Sequence, residues 1–116
     1  MTEATAGTGA ARDLSALQEE LKNKPNDLGS YTRLAWALYS LNKFDEAIAT
    51  FQSAYERWPS EIEVNYGLGL ALKMQGNREK ALESFGRAEA SKSKSIRSNM
   101  MRTLAAEQKE YLLQQA

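Results

Sequence analysis

An all-α fold, a stack of helical hairpins, is predicted by three observations. The chain repeats itself at a fixed spacing, the apolar residues inside each copy recur at three- and four-residue steps, and turn-forming residues break each copy near its middle. Sliding the sequence by 34 brings Leu34 onto Leu68, Ala37 onto Ala71, Leu38 onto Leu72, Ala47 onto Ala81, Phe51 onto Phe85 and Ala54 onto Ala88. A chain of 116 residues can bury a core and still form one domain.

The elements follow in order. Residues 1–10, MTEATAGTGA, are small and polar, with no basic start and no apolar run, and read as a disordered tail rather than a secretory signal. Residues 11–116 are expected to form the single domain. A helix over 11–24 places Leu14, Leu17 and Leu21 on one face. The same shift carries Leu14 and Leu17 onto Ile48 and Phe51 and Pro25 onto Pro59, so this helix looks like the second half of a repeat whose first half is missing.

Residues 28–61 form a complete copy. Tyr31, Leu34, Ala35, Leu38 and Leu41 share one helical face, Asn42-Lys43 breaks it, and Ala47, Ile48, Phe51, Ala54 and Tyr55 resume it. The small residues let two helices approach where the large ones interlock. Trp58 is assigned to the junction with the next copy, and Ser60 with Glu63 reads as a capping box for the helix after Pro59. Residues 62–95 repeat the pattern with the turn Gly76-Asn77; Asn42 and Gly76 are types that tolerate the left-handed conformation ending a helix. This copy departs at Asn65, where a large apolar residue is expected, and at Ser93, where a proline would close the unit, so the end of its second helix is open. Residues 95–114 form an amphipathic helix through Ile96, Met100, Met101, Leu104, Tyr111 and Leu112. The core positions that the repeat shift assigns to it, Asn99, Arg102, Thr103 and Ala106, match poorly, so it is expected to cap the stack. Met100, Met101 and Leu104 are assigned to the packing of that cap, the alternative being that they extend the groove or form a dimer seam.

The joint occurrence of Tyr31, Leu34, Ala35, Leu38, Ala47, Phe51, Ala54 and Pro59 resembles the tetratricopeptide repeat, a helix-turn-helix unit of about 34 residues with this order of small and large side chains. The resemblance covers residues 13 to about 95. It implies a short right-handed α–α superhelix: a half repeat, two full repeats and a capping helix. It also implies that one side of each first helix lines a concave groove in which partner peptides lie.

In helical projection Thr32, Trp36 and Tyr39 form a stripe more than a quarter turn from Leu34, Ala35 and Leu38. The corresponding stripe of the second copy is Tyr66, Leu70 and Lys73, with Met74 beside it. These seven are the candidate groove residues. An apolar, aromatic groove suits an amphipathic helix or an extended peptide, and Trp and Tyr carry much binding energy where they are exposed. The basic clamp with which some family members grip a carboxylate end has no counterpart in Thr32, Trp36, Tyr66 and Leu70. The competing reading of Trp36 is that a terminal segment covers it.

Other functions are argued against by what is missing. The sequence holds no cysteine and no histidine, which removes disulfides, thiolate and imidazole catalysis and nearly all zinc sites. GLGLA at 67–71 sits in a helix at core spacing and is no phosphate loop, while Asp45-Glu46 and Glu19-Glu20 open or line helices. The protein is therefore expected not to be an enzyme and to need no cofactor. Fifteen basic and fifteen acidic residues cancel. The mild excess of +3 over 92–116, from Lys92, Lys94, Arg97, Arg102 and Lys109, reads as a solvated helix face, so no nucleic-acid partner is expected. No stretch has the length of a membrane span, and a cytoplasmic location is expected. The function expected is a non-catalytic module that binds a peptide or helix of a partner protein. The alternative is self-association through the open ends of the stack, giving a homodimer.

Overall fold

The computed structural model describes the backbone of residues 2–115 and the side chains of residues 13–115. Six helices follow one another: α1 (Thr2–Asn23), α2 (Leu28–Ser40), α3 (Phe44–Arg57), α4 (Ile62–Gln75), α5 (Arg78–Glu89) and α6 (Ile96–Gln114). Among the described residues there is no strand. Helices α2, α4 and α6 start at Leu28, Ile62 and Ile96, and α3 and α5 at Phe44 and Arg78, so the period of the sequence is the period of the structure. The backbone over 2–10, expected as a disordered tail, belongs to α1; Ala4, Ala6 and Ala10 are the strongest helix formers in that stretch.

Local chemistry sets most helix ends. Asp27 caps α2 by accepting from the Ser30 N–H at 3.1 Å and the Ser30 hydroxyl at 2.8 Å, and these bonds hold its carboxyl below the usual carboxylate range. Asn42 and Gly76 adopt positive φ, 62° and 94°, at the two hairpin turns. Helix α5 stops at Glu89, so the SKSKS stretch is a connection, and Ser95 caps α6 by accepting from the Ser98 N–H at 3.0 Å.

The capping box expected at Ser60 and Glu63 does not form. Glu61 occupies the cap position of α4 without a side-chain bond, because Glu63 is drawn away to neighbouring helices. Asn65 organises this end instead. Its amide donates to the carbonyls of Pro59 at 3.0 Å and Glu61 at 3.1 Å, and its Oδ1 accepts from Arg87 Nε at 2.9 Å. A polar residue only 1% exposed is thus fully partnered where an apolar one was expected.

Each helix packs on the next, and in addition α2 packs on α4 and α4 on α6, whereas α3 and α5 do not pack on each other. Helices α2, α4 and α6 therefore form an inner layer, with α3 and α5 splayed outside it. Phe51 and Phe85, both fully buried, lock the layers. A Cβ on Gly67 of α4 would overlap the Phe51 ring, and one on Gly69 would lie 2.6 Å from the Phe85 ring. Trp58 meets Tyr31 edge to face at 5.5 Å and packs with Ala54 and Val64 at the junction of the repeats.

Helix α6 takes the place of the first helix of a third repeat. Its buried Ser98, Ala105 and Leu112 lie on one side, where Arg102 donates to the Ser91 carbonyl at 2.8 Å, Lys109 to Glu89 at 2.7 Å, and Arg78 of α5 to the Leu112 carbonyl at 2.9 Å. Asn99, Thr103 and Glu110, on the side where a further helix would pack, are exposed and polar. That side also carries exposed Leu113, so the end of the stack is polar over only part of its face.

Gly67→Ala tests the interlock. Alanine favours a helix by about 1 kcal/mol over glycine, yet displacing a buried ring costs about 1–3 kcal/mol. The expected outcome is a net loss of stability in chemical denaturation, with a larger loss for Gly67→Val.

Candidate functional site

The inner layer of α2, α4 and α6 presents one continuous surface. Because the three helices start one repeat length apart, Thr32, Tyr66 and Met100 occupy equivalent places on them, as do Trp36, Leu70 and Leu104, and Tyr39, Lys73 and Glu107. Met100 is 61% exposed, Met74 52% and Leu104 41%. Trp36, Tyr39, Tyr66 and Leu70 are half-buried, each with part of its surface packed against the core. Thr32 is only 7% exposed, and its hydroxyl donates to the Gly29 carbonyl at 3.2 Å, so it adds little open surface.

Trp36 has a larger packing role than its helical stripe suggests. Its ring meets Phe51 edge to face at 5.1 Å and Tyr39 at 5.8 Å. Its indole N–H donates to Glu63 Oε2 at 2.9 Å, and the other oxygen of Glu63 accepts from Arg97 at 3.2 Å. One carboxylate thereby joins α2, α4 and α6 along the edge of the surface. Near the other end of α4, Lys73 donates to Gln108 Oε1 at 2.7 Å and lies over the Tyr111 ring at 4.7 Å. Burial pushes the Tyr39 phenol above its ordinary pKa; burial, then the neighbouring Tyr39 and Glu107, push Tyr66 the same way.

A profile of the tetratricopeptide repeat matches residues 32–96, more than half of the chain. The chain belongs to the tetratricopeptide repeat family. Members of that family are typically non-catalytic, and the protein has the architecture of a protein-interaction scaffold.

Solved structures with the same stack include a MamA fragment from Desulfovibrio magneticus RS-1, with a TM-score of 0.67 at 21% identity over 98% of this chain and 71% of that one. Another is MamA AMB-1, with a TM-score of 0.66 at 25% identity over 95% and 68%. A third is a MamA D159K mutant, with a TM-score of 0.65 at 26% identity over 95% and 63%. No curated protein sequence matches the chain.

Of the seven residues expected to line a repeat-family groove, the structure sets Trp36, Tyr39, Tyr66, Leu70, Lys73 and Met74 along the inner layer, with Thr32 mostly beneath it. Sequence reasoning assigns Met100 and Leu104 first to cap packing and second to an extended groove or a dimer seam; they are exposed on the inner layer, and of the three only Met101 packs against the core. The repeat shift that pairs them with Tyr66 and Leu70 is the signal that could have found them. Glu63 escapes sequence reasoning because its spacing from Ser60 suggests a local role. Among the described residues no group of carboxylates is placed to hold a metal, and no helix is long and apolar enough to cross a membrane.

Two measurements check this geometry. Trp36→Ala is expected to lose about 2–3 kcal/mol of stability through the missing ring contacts and the stranded carboxylate. The phenols have folded pKa values above their unfolded ones, so their contribution to stability is complete below about pH 10 and is lost as pH rises through the raised values. Phenolate absorbance should lose a late-ionising component in Tyr39→Phe and another in Tyr66→Phe.

Proposed function

We propose that the protein is a non-catalytic binding module that takes an apolar segment of a partner protein on the inner surface of α2, α4 and α6. The observation that carries this reading is the contiguity of exposed Met74, Met100 and Leu104 with half-buried Trp36, Tyr39, Tyr66 and Leu70. Single exposed apolar residues are ordinary on a soluble protein, but a continuous patch marks an interaction surface. Methionine adapts to varied apolar anchors, and tryptophan and tyrosine contribute much area for few rotatable bonds. The outer face of α6 carries polar Asn99, Thr103 and Glu110 together with exposed Leu113, and that leucine keeps pairing of the stack ends as the second reading. Arg97 and Arg102 are engaged with Glu63 and Ser91, which weighs against a nucleic-acid footprint.

Leu104→Gln is the cleanest probe, since its side chain is partly open and glutamine is compatible with a helix. Circular dichroism is expected to be unchanged and stability to shift by no more than about 1 kcal/mol. Affinity for the partner recovered by wild-type pull-down should fall roughly tenfold or more. Equal recovery by both proteins would refute the reading.

A further inference from the structure

Three directional contacts hold the Trp36 ring. Phe51 meets it edge to face at 5.1 Å and Tyr39 at 5.8 Å, and its indole N–H donates to Glu63 Oε2 at 2.9 Å. The two ring contacts fix where the indole sits. They leave open which way it is turned, because the χ2 torsion of an aromatic side chain is broad and roughly two-fold. Only one edge of the indole carries the N–H, so the bond to Glu63 selects one orientation. Among the described residues Glu63 is the sole hydrogen-bond partner of that N–H.

Glu63 is itself fixed from two sides. It stands in the first turn of α4, the end of a helix that favours a carboxylate, and its other oxygen accepts from Arg97 Nη2 at 3.2 Å. The repeat shift places Gly29, Glu63 and Arg97 at one position of α2, α4 and α6, and Trp36, Leu70 and Leu104 at another. A bond like that of Trp36 with Glu63 therefore cannot recur between α4 and α6, where Leu70 offers no donor and Arg97 no acceptor. Arg97 reaches back to Glu63 instead.

The fold does not need this tie to join its first inner helices. The buried Phe51 ring already lies against Gly67 of α4 and Trp36 of α2. The Arg97 side chain is 72% exposed, and an ion pair in that setting adds little stability. What the tie adds is orientation: with its N–H spent, the Trp36 ring offers a partner only carbon.

Resting on the groove reading above, we propose that Glu63 is the positioning residue of the groove, acting through Trp36 to hold the indole in the one orientation that receives an apolar side chain of the partner. A ring set before binding need not be ordered on binding, and that ordering would otherwise weaken affinity about two- to tenfold for one such side chain.

The first test needs no partner. Acrylamide quenching is measured in a Trp58→Phe background, where Trp36 is the only indole. Quenching is expected to rise in Glu63→Ala and to return towards the parent value in Glu63→Gln, whose amide oxygen can still accept the N–H. If Trp58→Phe weakens the fold, the same comparison is made by difference in the wild-type background. The second test titrates a synthetic amphipathic helix, with a continuous leucine face and no net charge, calorimetrically against the full chain. Glu63→Ala is expected to bind it about two- to tenfold more weakly, and Glu63→Gln nearly as well as the parent. In Trp36→Phe, which lacks the donor, Glu63→Ala is expected to cost nothing further. Unchanged quenching in Glu63→Ala would overturn the positioning role, as would an equal affinity loss with and without the indole N–H. Either result leaves the groove reading standing where Leu104→Gln weakens binding of the same helix. A helix bound equally by wild type and Leu104→Gln, or by neither up to about 1 mM, would overturn the groove reading and this role with it.

Discussion

The stack depends on how closely α4 approaches two phenylalanine rings. Phe51 reaches it from the preceding repeat and Phe85 from its own hairpin, and Gly67 and Gly69 are where the two rings lie against the backbone. Glycine weakens a helix interior, so α4 gives up intrinsic helix stability to gain interlocking on two sides. Its contacts with α2, α3, α5 and α6 compensate, and they make α4 the element to which both layers are registered. The groove inherits this arrangement, since Trp36 stands on Phe51 at 5.1 Å and Tyr66 on Phe85 at 6.0 Å. The surface proposed to meet a partner is therefore carried on buried rings, an arrangement that limits the side-chain entropy lost on binding.

The architecture is legible because its cause is periodic. Tyr31, Leu34, Ala35, Leu38, Ala47 and Phe51 repeat at fixed distances, and helices placed by such residues start at fixed distances too. What escapes are residues whose role is set by another helix. Glu63 has the spacing of a cap but bonds to α2 and α6, and Asn65 looks like a gap in the pattern yet closes a three-way network with Pro59, Glu61 and Arg87. Trp36 stands on the expected face, but its edge-to-face contact with Phe51 depends on how α3 lies against α2, which helical projection cannot supply. For Met100 and Leu104, the core positions of α6 draw attention away from its other face.

Polar chemistry on the inner layer is almost self-contained. One carboxylate ties three helices, one lysine is spent on the last of them, and apolar atoms fill the space between. The proposed binding surface offers mainly shape and hydrophobicity, and its Lys73 and Glu107 both lie outside the ion pairs of the described residues.

Met101 stands on α6 where Gly67 stands on α4, and this difference has a consequence for how such a protein can lengthen. A helix bearing glycine at that position receives the ring of the helix before it, whereas α6 bears a flexible side chain suited to a terminus. Duplication of 62–95 would put a second Gly67 against Phe85 and leave the junction with α6 as it is. Duplication of 28–61 would instead drive Arg33, the counterpart of Gly67 one repeat earlier, into Phe51. Copying 62–95 would thus keep a glycine against a phenylalanine ring, whereas copying 28–61 would lose that contact.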